Sequence, residues 1–325
     1  MKRRTFLPLG AAAGLAFPAR AQPPGTPVLG FLNSGSPEAF AAYVAALRDG
    51  LQEAGFVEGR NLAIEFRWAR GRYEMLPDLA RELVERRVAV IVATGGDPSA
   101  KAAIAATSTI PIVFGTGDDV LNSGLVESLS RPSRNATGIS LLTAELEAKR
   151  LELLSELVPR AKKIAILVNP DLAYSHMQGR AAQDAAGPRG QEILIVKARR
   201  EEEFEEVFAA LMREKADALI VASDPFFNSR RNQIVALANR HRLPAIYEWR
   251  EFAAAGGLAS YGASLTAAYR QFGIYAGRIL AGAKPGDLPV LQPTQFELVI
   301  NGSTARDLGI TLPPTIVARA DEVSE

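Results

Sequence analysis

Residues 88–98 read Val-Ala-Val-Ile-Val-Ala-Thr-Gly-Gly-Asp-Pro. An unbroken apolar run rich in β-branched residues fits a strand buried on both faces. It stops at Thr94-Gly95-Gly96-Asp97-Pro98, and 99–106 then reads as a helix. Strand, glycine turn and helix start form the repeating unit of a parallel sheet with crossover helices.

The same rhythm extends on both sides. Upstream, 28–32 is a buried strand, 37–54 a helix closed by Gly55, 62–68 an alternating edge strand and 76–86 a helix. Downstream, 110–114 is a buried strand, 124–130 a short helix and 136–141 a fifth strand. The pattern then begins again. Strands are expected at 164–168, 192–197, 218–222, 245–247 and 258–261, with helices at 174–186, 201–215 and 230–241. A long helix at 264–281 follows, then a strand at 296–300 and a short helix at 303–308.

Two consecutive five-strand units of roughly 120 residues predict an α/β protein with two Rossmann-like lobes, each built on a parallel sheet. The leftover C-terminal elements must return to the lobes. The division expected is 22–143 plus about 264–284 for one lobe, and 144–263 plus about 285–325 for the other. The chain then crosses between lobes about three times, which makes a hinge of several strands.

Composition narrows the function. The chain has 325 residues, 48% apolar and 22% charged, with a formal net charge of +1. That near-neutral balance carries no footprint for nucleic acid or acidic membranes. With no cysteine, disulfides, thiol catalysis, iron–sulfur clusters and a lipid-anchored cysteine are excluded. His176 and His241 are the sole histidines, so a His-rich metal site is excluded too.

The start of the chain reads as an export signal. Lys2, Arg3 and Arg4 precede a short apolar stretch, 6–18, and Ala19-Arg20-Ala21 has the small-x-small form of a cleavage site. The run Arg3-Arg4-Thr5-Phe6-Leu7 also has the look of a twin-arginine signal. Cleavage near Ala21 and a periplasmic, membrane-free mature chain are expected, since no later apolar run reaches the length of a span.

In an open parallel sheet, ligands bind beyond the carboxyl ends of the strands where strand order reverses. For order 2-1-3-4-5 that point lies between the first and third strands. The sequence there is polar and glycine-rich: Asn33-Ser34-Gly35-Ser36-Pro37 and Thr94-Gly95-Gly96 in the first lobe, Asn169-Pro170-Asp171 and Ser223-Asp224-Pro225-Phe226-Phe227 in the second. Hydroxyls and amides supply hydrogen bonds, glycines admit close backbone approach, and a helix start favours an anion. Asn33, Ser34, Gly35, Thr94, Gly95, Gly96 and Asp171 are therefore candidate contacts. Asp224 is a candidate partner for a ligand ammonium, and Phe226, Tyr247 and Tyr261 for an aromatic wall. Taken singly, such residues serve as helix caps and core. Asp118, followed by Asp119, suits a cap or a ligand contact, because consecutive side chains rarely converge.

Catalytic signatures are missing. There is no G-x-G-x-x-G after the first strand, no phosphate-binding G-x-x-x-x-G-K-[ST], no H-E-x-x-H and no G-x-S-x-G. No cofactor, no bound metal and no enzymatic activity are expected, though carboxylates alone can hydrolyse glycosides.

A collection of short motifs spans nearly all of the chain after the signal. It includes Val28-Leu29-Gly30-Phe31-Leu32, Gly55-Phe56-Val57-Glu58-Gly59-Arg60-Asn61, Gly124-Leu125-Val126, Asn135-Ala136-Thr137-Gly138 and Ser223-Asp224-Pro225-Phe226-Phe227. Arg242-Leu243-Pro244-Ala245-Ile246-Tyr247, Ala255-Gly256-Gly257-Leu258, Ser260-Tyr261-Gly262 and Arg319-Ala320-Asp321-Glu322-Val323 complete it. Together they resemble the tryptophan/tyrosine-type substrate-binding proteins of ABC transporters. That resemblance implies a type I periplasmic binding fold, a small-molecule ligand such as an amino acid or related carboxylate, and a permease and ATPase as partners. The loop Gly115-Thr116-Gly117-Asp118-Asp119-Val120 departs from the Asp-Pro-Val form more usual there. A sensory module using the same cleft and a secreted carboxylate-based enzyme are the alternatives.

Overall fold

The computed structural model describes residues 25–132, 134–143 and 145–325, so the expected signal segment lies outside the described residues. The first sheet contains β1 (Val28–Asn33), β2 (Ala63–Trp68), β3 (Val90–Thr94), β4 (Ile112–Thr116) and β5 (Ala136–Ser140), in spatial order β2-β1-β3-β4-β5. Every pairing in it is parallel. Helices α1 (Ala41–Glu53), α2 (Leu76–Glu85) and α3 (Asp97–Ala106) are its crossovers. All five residues of β3 are buried, as the apolar run 88–93 anticipates.

The second half opens with α4 (Glu147–Leu157) and continues with β6 (Lys163–Val168), α5 (Ser175–Ala186), β7 (Glu192–Lys197) and α6 (Phe204–Arg213). Then come β8 (Ala218–Val221), α7 (Pro225–Ser229), α8 (Arg231–Arg240), β9 (Ala245–Tyr247), α9 (Arg250–Ala254) and β10 (Ala259–Gly262). Read from one edge, β7-β6-β8-β9-β10 repeats the strand order of the first lobe. Two further strands extend that sheet: β11 (Glu297–Asn301), antiparallel to β10, and β12 (Glu322–Ser324), parallel to β11.

Between the two sets, α10 (Leu265–Leu280) returns to the first lobe and packs on α1, β3 and β4. Glycine makes this contact possible. A β-carbon on Gly50 would stand 1.9 Å from the Arg270 carbonyl oxygen, and one on Gly273 2.1 Å from that of Leu47. The segment after α10 stays on the first sheet longer than the boundary at 285 anticipates. Leu291 N–H donates to the Gly138 oxygen at 3.0 Å, and Ser140 N–H donates to the Leu291 oxygen at 2.9 Å. The chain then crosses to β11. Together with the crossings before α4 and after β10, this gives a hinge of three segments.

Two expectations fail for physical reasons. Residues 124–130 are turns, not a helix. Gly124 is left-handed (φ +71°), and the N–H groups of Leu125 and Val126 both bond to the Val120 oxygen, so both side chains plug the core from a loop. Helix α4 has no counterpart in the sequence reading. Its inner face carries Glu147 and Arg150, each 0% exposed, which hides the amphipathic pattern. The short α7, α9 and the C-terminal helix at Pro314–Val317 also escape periodicity, since each is only about one turn long.

Candidate functional site

Register brings the polar loops together. Asn33 at the end of β1 is the partner of Thr94 at the end of β3, and the second sheet repeats this beyond β6 and β8. The two carboxyl edges face each other across a closed cleft. Tyr73, from the loop before α2, donates to the Asp224 carboxylate of the other lobe at 3.0 Å. Arg231 donates to the Ala39 carbonyl at 3.5 Å, and a β-carbon on Gly96 would stand 3.2 Å from the Pro225 ring. Between the lobes remains a small cavity of about 40 Å³.

Its lining comes from both lobes and the hinge. Thr94, Gly95, Gly96, Gly115 and Gly117 contribute from the first sheet, Thr143 from the hinge, and Tyr174, Ser223, Pro225 and Asn228 from the second lobe. Phe40, Trp249, Tyr269 and Phe272 add four aromatic rings to the lining. Gly95 and Gly96 have φ of +80° and +82°, a region that favours glycine. A β-carbon on Gly95 would also meet Ser34 Oγ at 2.7 Å.

The profile of the family described as ABC transporter substrate binding protein matches residues 33–324. The chain belongs to this family. Among its relatives is a tyrosine-binding protein of Clostridioides difficile (strain R20291), 30% identical over 263 residues, 79% of this chain and 74% of that protein. Among solved structures, a conserved domain protein of Vibrio cholerae aligns with a TM-score of 0.84 at 29% identity, over 92% of this chain and 100% of its own. A Streptococcus pneumonia ABC domain in complex with L-Trp aligns at 0.83 and 25% identity, over 92% and 99%. A ligand-free, open substrate-binding protein with adhesive properties from Clostridium difficile aligns at only 0.64, with the same identity and coverage. At equal identity, the lobe arrangement of this binding protein is closer to the complex than to the open form. The fold is that of type I periplasmic binding proteins.

Of the residues expected at the site, Thr94, Gly95 and Gly96 line the binding protein's cavity. Asn33 stands behind them, donating to Thr94 Oγ1 at 3.0 Å and Tyr269 OH at 2.9 Å. Ser34 braces the loop by donating to the Gly95 oxygen at 2.5 Å, and Gly35 leaves room for the Phe40 ring, 2.3 Å from where its β-carbon would be. Asp224 is buried and outside the lining; besides Tyr73, it accepts from Asn169 Nδ2 and the Phe227 N–H, each at 3.0 Å, so it caps α7 and clasps the lobes. Phe226 stacks on Phe204 at 5.5 Å rather than on the cavity. Tyr247 is buried against Phe252 at 4.7 Å, and Tyr261 packs on Phe296. Asp171 is exposed and pairs with Arg199 at 3.8 Å. Asp118 is not among the lining residues; it lies beside Asp97 and 3.9 Å from Lys101 Nζ.

Four buried charged groups, Asp97, Glu147, Arg150 and Glu248, were not among the expected contacts. Asp97, buried at the start of α3, finds no hydrogen-bond donor among the described residues for either oxygen, although Lys101 Nζ lies 3.5 Å away. Burial, then the neighbouring Asp118, push its carboxyl up to about 8. It directly follows the lining residues Gly95 and Gly96 in the chain but is not itself part of the lining. Beyond Ser223 and Thr143, Arg150 sits between Glu147 at 2.8 Å and Glu248 at 3.3 Å, all wholly buried. It also donates to the Thr143 and Tyr261 carbonyls, tying the hinge to the second lobe. Burial pushes Glu248 up to about 7 against the pull of Arg150. Asp224 is pushed up to about 6, chiefly by burial, against its three hydrogen bonds. Among the described residues no group of acidic and histidine side chains is arranged to hold a metal, and no helix is long and apolar enough to cross a membrane.

Proposed function

We propose that this chain is a periplasmic receptor that closes over an aromatic amino acid and presents it to an ABC permease, without altering the ligand. The observation that carries the reading is the mixed lining of the cavity: glycine backbone and the hydroxyls of Thr143, Tyr174 and Ser223 stand with the rings of Phe40, Trp249, Tyr269 and Phe272, and Asp97 follows Gly96 in the chain. In this reading the backbone N–H groups of Gly95 and Gly96 and the hydroxyls take the ligand carboxylate. Asp97 takes the ammonium, replacing Asp224, and the rings take the side chain. The relatives that bind tyrosine and L-Trp support the same ligand class. Closure as the signal to a permease follows from the hinge, which lets ligand shift an open–closed equilibrium.

Calorimetric titration of ligand-stripped protein with the amino acids tests this. Saturation by tyrosine or tryptophan with a one-to-one end point, and recovery of the ligand unchanged, supports it. Binding of a sugar instead, or steady consumption of the amino acid, contradicts it.

A further inference from the structure

Asn228 sits in α7 with its backbone fixed at both ends. Its N–H bonds to the Asp224 oxygen at 3.0 Å, and its carbonyl accepts from Arg231 at 3.1 Å. The side chain is 1% exposed and lines the cavity, yet neither amide atom has a hydrogen-bond partner. A buried primary amide has three or more hydrogen bonds to satisfy, and leaving all of them unmade is strongly unfavourable. The Tyr43 hydroxyl of the first lobe, also buried, lies beside this amide. Asn228 is one helical turn beyond Pro225, which touches Gly96, and is displaced toward α1. It shares the cavity lining with Phe40, and Tyr43 lies beside it.

We infer that Asn228 is a specificity residue that accepts a hydrogen bond, through Oδ1, from a donor on the edge of the ligand's aromatic ring. A phenol hydroxyl or an indole N–H supplies that donor, and a bare phenyl ring does not. The cleft thus selects tyrosine or tryptophan over phenylalanine. This rests on the aromatic amino acid reading of the cavity. A site built around a buried polar group rejects the ligand that leaves it unpaired more strongly than an apolar pocket rejects a missing methylene.

The test compares tyrosine, tryptophan and phenylalanine by calorimetry on the native chain and on Asn228→Leu. Native protein should bind tyrosine or tryptophan about 10- to 100-fold tighter than phenylalanine, the range expected for one buried amide left unpaired. Asn228→Leu should narrow that gap to about threefold or less, mainly by losing affinity for the donor-bearing ligand. Should the variant fold poorly, 4-methylphenylalanine on the native chain replaces it. That ligand keeps the shape of tyrosine without its donor and should bind no better than phenylalanine. Equal native affinities, an unchanged ratio in Asn228→Leu, or tight binding of 4-methylphenylalanine overturns the inference alone. If none of the three natural amino acids binds, the ligand reading fails and this inference falls with it.

Discussion

Replacing Tyr73 with Phe isolates the energy of lobe closure. The Tyr73 hydroxyl donates across the cleft to Asp224 at 3.0 Å, a bond the open form cannot make. Burial and Asp224 both push the phenol well above its ordinary range, so it remains a donor at neutral pH. Asp224, raised to about 6, is charged there. A hydrogen bond to a charged acceptor contributes about 1.5–3 kcal/mol. Apparent affinity scales with the closed fraction, and ~1.4 kcal/mol is tenfold. Tyr73→Phe should therefore weaken ligand binding roughly 10- to 150-fold above about pH 6.5. The pH sign follows from Asp224. Its carboxyl is raised in the closed form from an ordinary 3.8 to about 6, so closure takes up a proton and gains relative to the open form as pH falls through 6. Below that, Tyr73 faces a neutral carboxyl, whose hydrogen bond is worth about 0.5–1.5 kcal/mol. The deficit of the variant should shrink accordingly. Calorimetry at about pH 7.5 and about pH 5, with thermal unfolding of the ligand-free variant as control, reads all three quantities. An affinity within about threefold of native, or a deficit that grows in acid, refutes the reasoning.

Three further perturbations test other parts of the site. Gly117→Ala places a β-carbon 2.2 Å from Thr143 Oγ1 and 2.7 Å from the Tyr174 hydroxyl of the opposite lobe. Overpacking of about 1–3 kcal/mol felt on closure should lower affinity about 5- to 150-fold in a titration, while the ligand-free protein still folds. Arg150→Met leaves Glu147 and Glu248 buried without a cation. It should destabilise by about 3–5 kcal/mol in denaturant melts at neutral pH, and by less in acid, where both carboxyls are protonated. Asp97→Asn removes the carboxylate proposed for the ammonium while keeping its shape, and should weaken amino acid binding about tenfold or more in a titration at neutral pH.

Both lobes and their strand order were legible because buried parallel strands announce themselves as β-branched runs followed by polar turns. The run 88–93 ends in the glycine turn whose Thr94, Gly95 and Gly96 line the cavity. Local sequence carries no such signal for the rest of the wall. Tyr269 and Phe272 lie on α10, which reaches the cleft only because the chain crosses back and Gly50 and Gly273 let two helices meet at the backbone. Trp249 and Phe40 arrive from opposite lobes and share a wall only once the cleft is closed. Asp224 looked like a ligand partner because a cap and a contact have the same sequence signature. Which it is depends on Tyr73 and Asn169, far away in the chain. Tyr247 and Tyr261 follow β9 and β10 inward to the core instead. Helix α4 was missed because its buried ion pair reads as surface.

The central claim is that two lobes close on one aromatic amino acid. X-ray scattering of the ligand-stripped protein, before and after saturation with tyrosine or tryptophan, tests it most directly. The account predicts a more extended ligand-free form that compacts on binding to the profile of the closed structure. A profile unchanged by a ligand that calorimetry shows to be bound would contradict it.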